Sequence, residues 1–253
     1  MQYVTLGRTG LKISRLGFGG IPIQRVSAAE AGPLLDAVLS AGINYIDTAR
    51  GYTVSEELIG QAIEGRRDQF VLATKSMARD REAMEADIQT SLANLRTDHI
   101  DLYQVHNPTV AQLEQVCAPG GALEALREAQ GAGKIGHLGV TAHSLEVFER
   151  ALELDWVETI MFPYNIVETQ GEALIKKAQA KNIGFIAMKP LAGGAIEDAA
   201  LALRFIAAND AVTVLIPGMY DPKEVAQNKA AVEDAAPLSR EELSRMEQVR
   251  QAL

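Results

Sequence analysis

Cysteine is almost missing from this chain, with Cys117 the single one among 253 residues. One thiol excludes an internal disulfide framework, a cysteine-built zinc site and an iron–sulfur cluster, each of which needs several. A reducing compartment fits that shortage. Excess positive charge is also missing. Lys and Arg number 24 against 33 Asp and Glu, for a net charge of −9, and neither sign is gathered into a block. Nucleic-acid binding needs a concentrated cationic surface, so a dedicated nucleic-acid partner is not expected. No apolar run approaches the roughly 20 residues that cross a bilayer. The opening "MQYVTLGRTG" lacks the apolar centre of a secretion signal, so no membrane partner and a cytoplasmic location are expected. The glycine fingerprint of dinucleotide-binding open sheets is absent too. "GFGGIPI" has too few glycines and runs into a proline. With no linker or low-complexity tract, residues 1–253 are read as one domain.

What is present is a repeating alternation. "QYVTL" and "LKISRL" flank "GRTG" and predict an N-terminal β-hairpin. Short β-branched apolar runs follow: "RLGFGG", "NYIDTA", "FVLATK", "IDLYQVH", "HLGVTA", "TIMFPYN", "GFIAMK" and "TVLIPG". Segments with helical spacing separate them. In "SAAEAGPLLDAVLSAG", Leu34, Leu35, Val38 and Leu39 share one face, which Pro33 permits only from the first helical turn. Eight strand–helix units predict a (β/α)8 TIM barrel with the hairpin at its N-terminus. The segment "NPTVAQLEQVCAPGG" reads as a short loop, with little room for a lid.

In such a barrel the functional site lies at the C-terminal ends of the strands. Three consecutive apolar runs end on Asp47, Lys75 and His106, and Tyr52 follows in the loop after the first of them. Each has an ordinary structural explanation when taken alone: a turn cap, a solvated amine, a satisfied imidazole, a packed ring. Three adjacent strands that each run an apolar stretch into an ionisable group at one level favour a site. A phenol titrates ordinarily near pH 10, and a neighbouring ammonium favours its phenolate. Lys75 is therefore expected to lower Tyr52, with Asp47 neutralising Lys75 and His106 bonding the reacting oxygen. The set has no strong nucleophile and suits proton delivery to a carbonyl oxygen. A Schiff-base lyase built on Lys75 is the chemical competitor, but it leaves Tyr52 and Asp47 without roles. His143 reads as a helix cap or a pocket residue, and His99 and His137, at strand beginnings, read as structural.

Taken together, "LGRTGLKISRLGFGG", "IDTARGYTVSEELIGQAI", "LATKS", "DLYQVHNP", "GHLGVTAHS", "MFPYN", "MKPLAGG" and "IPGMYDPKEVAQN" resemble the aldo-keto reductase family in order and over nearly the whole chain. The resemblance implies NAD(P)H-dependent reduction of aldehydes and ketones, with a small-molecule carbonyl as substrate. It implies a catalytic set of Asp47, Tyr52, Lys75 and His106. It places cofactor contacts at Gly19, Gly20, Thr141, Asn165, Met188, Lys189, Pro190, Leu191, Gly218 and Asn228, and it implies no metal. The chain departs from the family where Thr141-Ala142 replaces Ser-Asn, Met161 replaces Gln and Met188 replaces the stacking aromatic. In the last unit, Gly218 and Glu224 stand where NADPH-preferring members carry Lys and Arg. NADPH is the family default, and a carboxylate near the 2′-phosphate leaves NADH open. Lys223 is a candidate substitute donor, and Lys189 could reach a pyrophosphate, the substrate or only solvent. The altered cofactor positions also allow a nicotinamide-binding regulatory module with little turnover.

Overall fold

The structure is a computed structural model and describes residues 1–234 and 236–253. β1 (Tyr3–Thr5) and β2 (Lys12–Ser14) pair antiparallel, with Tyr3 opposite Ser14 and Thr5 opposite Lys12. A 3-10 turn over Gly7–Thr9 joins them, with Gly7 and Gly10 at φ of +51° and +74°. The hairpin closes one end of the molecule. Leu6 and Ile13 are fully buried against Tyr45, Leu102, Ile186 and Val214.

Eight parallel strands follow in chain order: β3 (Phe18–Gly19), β4 (Tyr45–Asp47), β5 (Val71–Ser76), β6 (Ile100–Val105), β7 (Ile135–Thr141), β8 (Thr159–Pro163), β9 (Gly184–Met188) and β10 (Val214–Leu215). The last strand returns to the first. Leu16 bridges Leu215 and Gly19 bridges Gly218, both in parallel, and the Gly19 N–H donates to the Pro217 carbonyl at 3.0 Å. A Cβ on Gly19 would stand 2.8 Å from the Ile216 and Pro217 oxygens, so glycine is what lets the barrel close there. This is the expected (β/α)8 barrel with its N-terminal hairpin.

The strands read as continuous apolar runs because both faces are covered. One set of side chains, including Phe18, Ile46, Leu72, Tyr103, Val140 and Phe185, packs under the helices. The alternate set, including Tyr45, Ala73, Leu102, Met161 and Ile186, fills the lumen. That period of two positions the site. Counting on from Tyr45, Ala73 and Leu102, the next inward residues are Asp47, Lys75 and Gln104, all buried.

The helices are α1 (Ala28–Ser40), α2 (Ser55–Ala62), α3 (Arg81–Asn94), α4 (Val110–Cys117), α5 (Ala122–Gly131), α6 (Leu145–Ala151), α7 (Glu172–Ala180), α8 (Ala199–Ala207), α9 (Pro222–Glu233) and α10 (Arg240–Ala252). Two differ from the reading of the sequence. α1 begins five residues before Pro33, at a Ser27–Glu30 capping box, so the proline lies in the second turn. Pro33 and Ala29, whose carbonyl has lost its N–H partner, both face solvent, while Ala31, Leu34, Leu35 and Val38 are buried. Burial of that face outweighs the missing hydrogen bond. The segment expected to be a short loop after β6 contains α4, capped by a reciprocal Thr109–Gln112 box and anchored by Leu113 and Val116.

Candidate active site

The mouth of the barrel is assembled from the ends of β4, β5 and β6. Lys75 Nζ donates to Asp47 Oδ1 and, at 2.8 Å, to the Thr48 carbonyl. Asp47 Oδ2 accepts from Gln104 Nε2 at 3.1 Å. All three side chains are sealed from solvent. The carboxylate therefore has both oxygens occupied, and the ammonium has two acceptors.

Tyr52 is held above this pair by a tightly bonded loop. The Thr48 and Arg50 N–H groups continue the ladder to the Ala73 and Lys75 carbonyls, each at 2.9 Å. The chain then turns, with the Tyr52 N–H on the Ala49 carbonyl at 3.0 Å and Thr53 at a left-handed φ of +38°. The buried Ser55 hydroxyl lies 2.8 Å from the Thr48 hydroxyl and 2.8 Å from the Gly20 carbonyl, which fixes the far side. As a result Lys75 Nζ lies 4.8 Å from the centre of the Tyr52 ring. The His106 ring meets Tyr52 edge to face, with centroids 6.1 Å apart and planes at 87°. The structure thus brings Asp47, Tyr52, Lys75 and His106 together.

Their electrostatics correct one expectation. Burial raises the Tyr52 phenol above its ordinary value; Lys75 pulls it down, but not enough to reverse the direction, and Asp47 adds a smaller upward push. Lys75 is drawn down by burial, yet Asp47 and Tyr52 together hold it above the usual lysine value. Asp47 is raised by burial, against the opposing pull of Lys75 and Gln104. The phenol is accordingly protonated and the ammonium charged throughout the neutral range. His106 is pushed down to about 4, first by burial and then by Lys75, Arg79 and His143. It is a neutral imidazole at pH 7, and its buried Nδ1 has no partner among the described residues.

Two contributors escaped the reading of the sequence. Gln104, which braces Asp47, is a polar residue inside an apolar run, two positions before His106 and so on the same lumen face. Arg79 donates from Nη2 to the His106 carbonyl at 2.7 Å, and no sequence pattern marks it.

The positions expected to hold a cofactor lie around the rest of the rim. The buried Thr141 hydroxyl accepts from the Asn107 N–H at 2.9 Å. The Asn165 amide donates to Glu168 at 2.6 Å and to the Lys189 carbonyl at 2.9 Å, while its oxygen accepts from the Val167 and Glu168 N–H groups. Met188 and Leu191 are half-buried, Pro190 is buried, and Lys189 is exposed at a φ of +53°. The Gly20 N–H donates to the Asp47 carbonyl at 2.7 Å. Gly218 is exposed beneath Pro22, whose Cγ would stand 2.5 Å from an added Cβ. Glu224 accepts from the Tyr220 N–H at 2.9 Å. Asn228 is 7% exposed, and its amide has no side-chain partner among the described residues. His143 Nδ1 lies 3.0 Å from Asn107 Oδ1. At the opposite end, His99 contacts the Gly133 carbonyl at 2.7 Å and His137 contacts Glu158 at 2.8 Å. Among the described residues no cluster of His, Cys, Asp and Glu could hold a metal ion, and no helix is long and apolar enough to cross a membrane.

Comparison with known proteins gives a consistent answer. The sequence profile described as the aldo/keto reductase family matches residues 15–200. Aldo-keto reductase YhdN of Bacillus subtilis is 33% identical over 192 residues, which span 68% of this chain and 56% of that protein. L-galactose dehydrogenase of Arabidopsis thaliana is 26% identical over 299 residues, covering 96% of this chain and 92% of that protein. Among solved structures, the holo form of aldo-keto reductase AKR11C1 from Bacillus halodurans superimposes with a TM-score of 0.86 at 27% identity. That match covers 100% of this chain and 97% of the other.

Proposed function

The chain belongs to the aldo/keto reductase family, and from that premise we propose that it reduces aldehyde or ketone carbonyls to alcohols with NAD(P)H. The observation that carries this reading is the buried Lys75–Asp47 ion pair beneath a protonated Tyr52, with neutral His106 set against the phenol ring. The nicotinamide would supply the hydride to the carbonyl carbon. Tyr52 gives its proton to the oxygen as negative charge develops there. Lys75 stabilises the phenolate that forms, and Asp47, pinned by Gln104, keeps Lys75 in place. His106, neutral at pH 7, donates a hydrogen bond to the carbonyl oxygen and sets its angle.

The residues present fit the cofactor. Asn228 is largely buried on α9, yet its amide atoms are neither sealed from solvent nor bonded to a side chain among the described residues, which leaves them open to a base. Gly19, Gly20, Thr141, Asn165, Met188, Lys189, Pro190, Leu191 and Gly218 would complete the contacts. Glu224, tied to the Tyr220 N–H, stands where NADPH-preferring relatives carry Arg, so a carboxylate would face a 2′-phosphate in this reading. NADPH is accepted in this reading, but its advantage over NADH is small. A second reading, a nicotinamide-binding regulatory module with little turnover, draws on Thr141 and Asn165, whose polar groups are already bonded internally.

The experiment is a fluorescence titration with NADPH and with NADH, followed by aldehyde-dependent loss of the reduced cofactor. Binding with turnover is expected. Binding without turnover on a broad carbonyl panel favours the regulatory module, and no binding at millimolar cofactor removes both readings.

A further inference from the structure

One cation at the mouth has no role in the chemistry above. Arg79 lies in the segment between β5 and α3, and its backbone is anchored on both sides. Its carbonyl accepts from the Ala122 N–H at 3.0 Å, and the adjoining Asp80 bridges Gly121. The side chain is half-buried, and burial alone accounts for the lowering of its pKa, with no carboxylate acting against it. Its bonds are all to backbone carbonyls: Nη2 to His106 at 2.7 Å and Nη1 to Ala78 at 3.3 Å. Nε is sealed from solvent with no acceptor among the described residues.

The nearby carboxylates are engaged elsewhere. Asp47 is held by Lys75 and Gln104. Asp87 accepts from Ser76 and lies 3.7 Å from Arg50, Asp80 caps α3 through the Ala83 N–H, and Glu168 accepts from Asn165. Most arginines in this acidic chain that are half-buried, such as Arg66, Arg67 and Arg150, face a carboxylate. A half-buried guanidinium without a counter-ion costs stability, because desolvation is not offset by a partner. Here it is kept against the backbone carbonyl of His106, the residue that bonds the substrate oxygen in the proposed reaction.

We propose that Arg79 is the recognition residue for an anionic substrate, a short carbonyl compound bearing a carboxylate or phosphate, whose anion docks on this guanidinium while its carbonyl faces Tyr52 and His106. The inference rests on the reductase reading for the carbonyl and on Arg79 for the anion. A guanidinium suits this task because it stays charged and offers several N–H donors to one oxyanion. Nη1 has an N–H to spare. Exposed Met77, which lies across Gly51 with its Cε 3.5 Å from where a Cβ would be, adds an apolar wall beside the same segment.

The test compares ω-oxo carboxylates of two to five carbons with their methyl esters, using the full-length protein, NADPH, and the variants Arg79→Met and Arg79→Lys. The expected result is a wild-type kcat/KM for at least one acid tenfold or more above its ester. Arg79→Met should lose about ten- to a hundredfold on the acid beyond whatever the ester loses, as for a charge-assisted hydrogen bond, and Arg79→Lys should recover part of that difference. Equal loss on acid and ester would overturn the inference, since Arg79 would then only hold the His106 carbonyl. So would a wild type indifferent to the charge, or a loss confined to cofactor affinity. A binding arm separates this from failure of the reductase reading. Butanoate, which cannot be reduced, should raise the NMR-measured pKa of His106 in the wild type and not in Arg79→Met. If that shift appears while no carbonyl is turned over, the anion site stands and the reductase reading falls. If the shift is absent in both proteins, the anion site falls.

Discussion

On the β4–β6 side of the barrel mouth, Asp47 and Lys75 neutralise each other inside the protein and Gln104 Nε2 braces the carboxylate, while Gln104 Oε1 is left without a partner among the described residues. On the β10 side, Gly218 carries no side chain, Glu224 reaches only the Tyr220 N–H, and the Asn228 amide has no side-chain partner among the described residues. The ion pair of the first side is formed without a ligand and holds its geometry against a dry, low-dielectric wall. The second, in the proposed reading, would be completed by the cofactor. Substitutions on the first side should therefore damage both folding and chemistry, whereas those on the second should change which ligand binds and little else.

The largest effect is expected from Lys75→Met. It leaves Asp47 buried without its cation, at a cost of about 3–5 kcal/mol, seen as a lower urea midpoint, and it removes carbonyl reduction as well. A stable, inactive Lys75→Met protein would break the comparison, because it would show that the pair does not support the fold. A smaller effect is expected from Glu224→Gln. It removes a negative charge beside the proposed 2′-phosphate position and should raise the NADPH-to-NADH affinity ratio by about tenfold, with the urea midpoint nearly unchanged. An unchanged ratio would place the 2′-phosphate elsewhere on the rim.

The smallest effect concerns pH. His106 titrates near 4 in the folded protein and near 6.5 when unfolded. Between those values the unfolded chain binds more protons, so stability falls as the pH drops from about 6.5 toward 4 and is complete above that window. Urea midpoints at pH 7.0, 5.5 and 4.5 should decline, and less steeply for His106→Gln. Over pH 6 to 8, kcat/KM should show no histidine titration. A protonation step near 6.5 would mean that His106 is solvated in the working enzyme.

Much of this comparison was legible in the residue order. Strand ends at Asp47, Lys75 and His106 and a period of two were enough to bring those side chains to one rim. The same period marks Gln104 through Leu102 and His106, although a polar residue in mid-run carries no signal of its own. The Thr109–Gln112 capping box marks a helix start inside a segment whose length and prolines otherwise suggest a loop. At Pro33 the lost hydrogen bond argues for the first turn, but the lost partner faces solvent and the buried face decides. Two things had no signature in the chain order. The direction in which Tyr52 moves depends on how burial weighs against Lys75, which is a matter of depth. The placement of Arg79 against His106 depends on how one loop lies over the next strand.

The central claim is that Tyr52 delivers the proton while the rest of the mouth binds and orients. Tyr52→Phe tests it most directly, because it removes one oxygen from a half-buried ring and leaves the Lys75–Asp47 pair in place. Carbonyl-dependent NADPH oxidation and NADPH affinity are measured together on the wild type and the variant. Turnover should fall by about 10²–10⁴-fold, the usual worth of a positioned general acid, with the dissociation constant changed by less than about twofold. Turnover within a few-fold of the wild type would contradict the account and move the proton donor to another group.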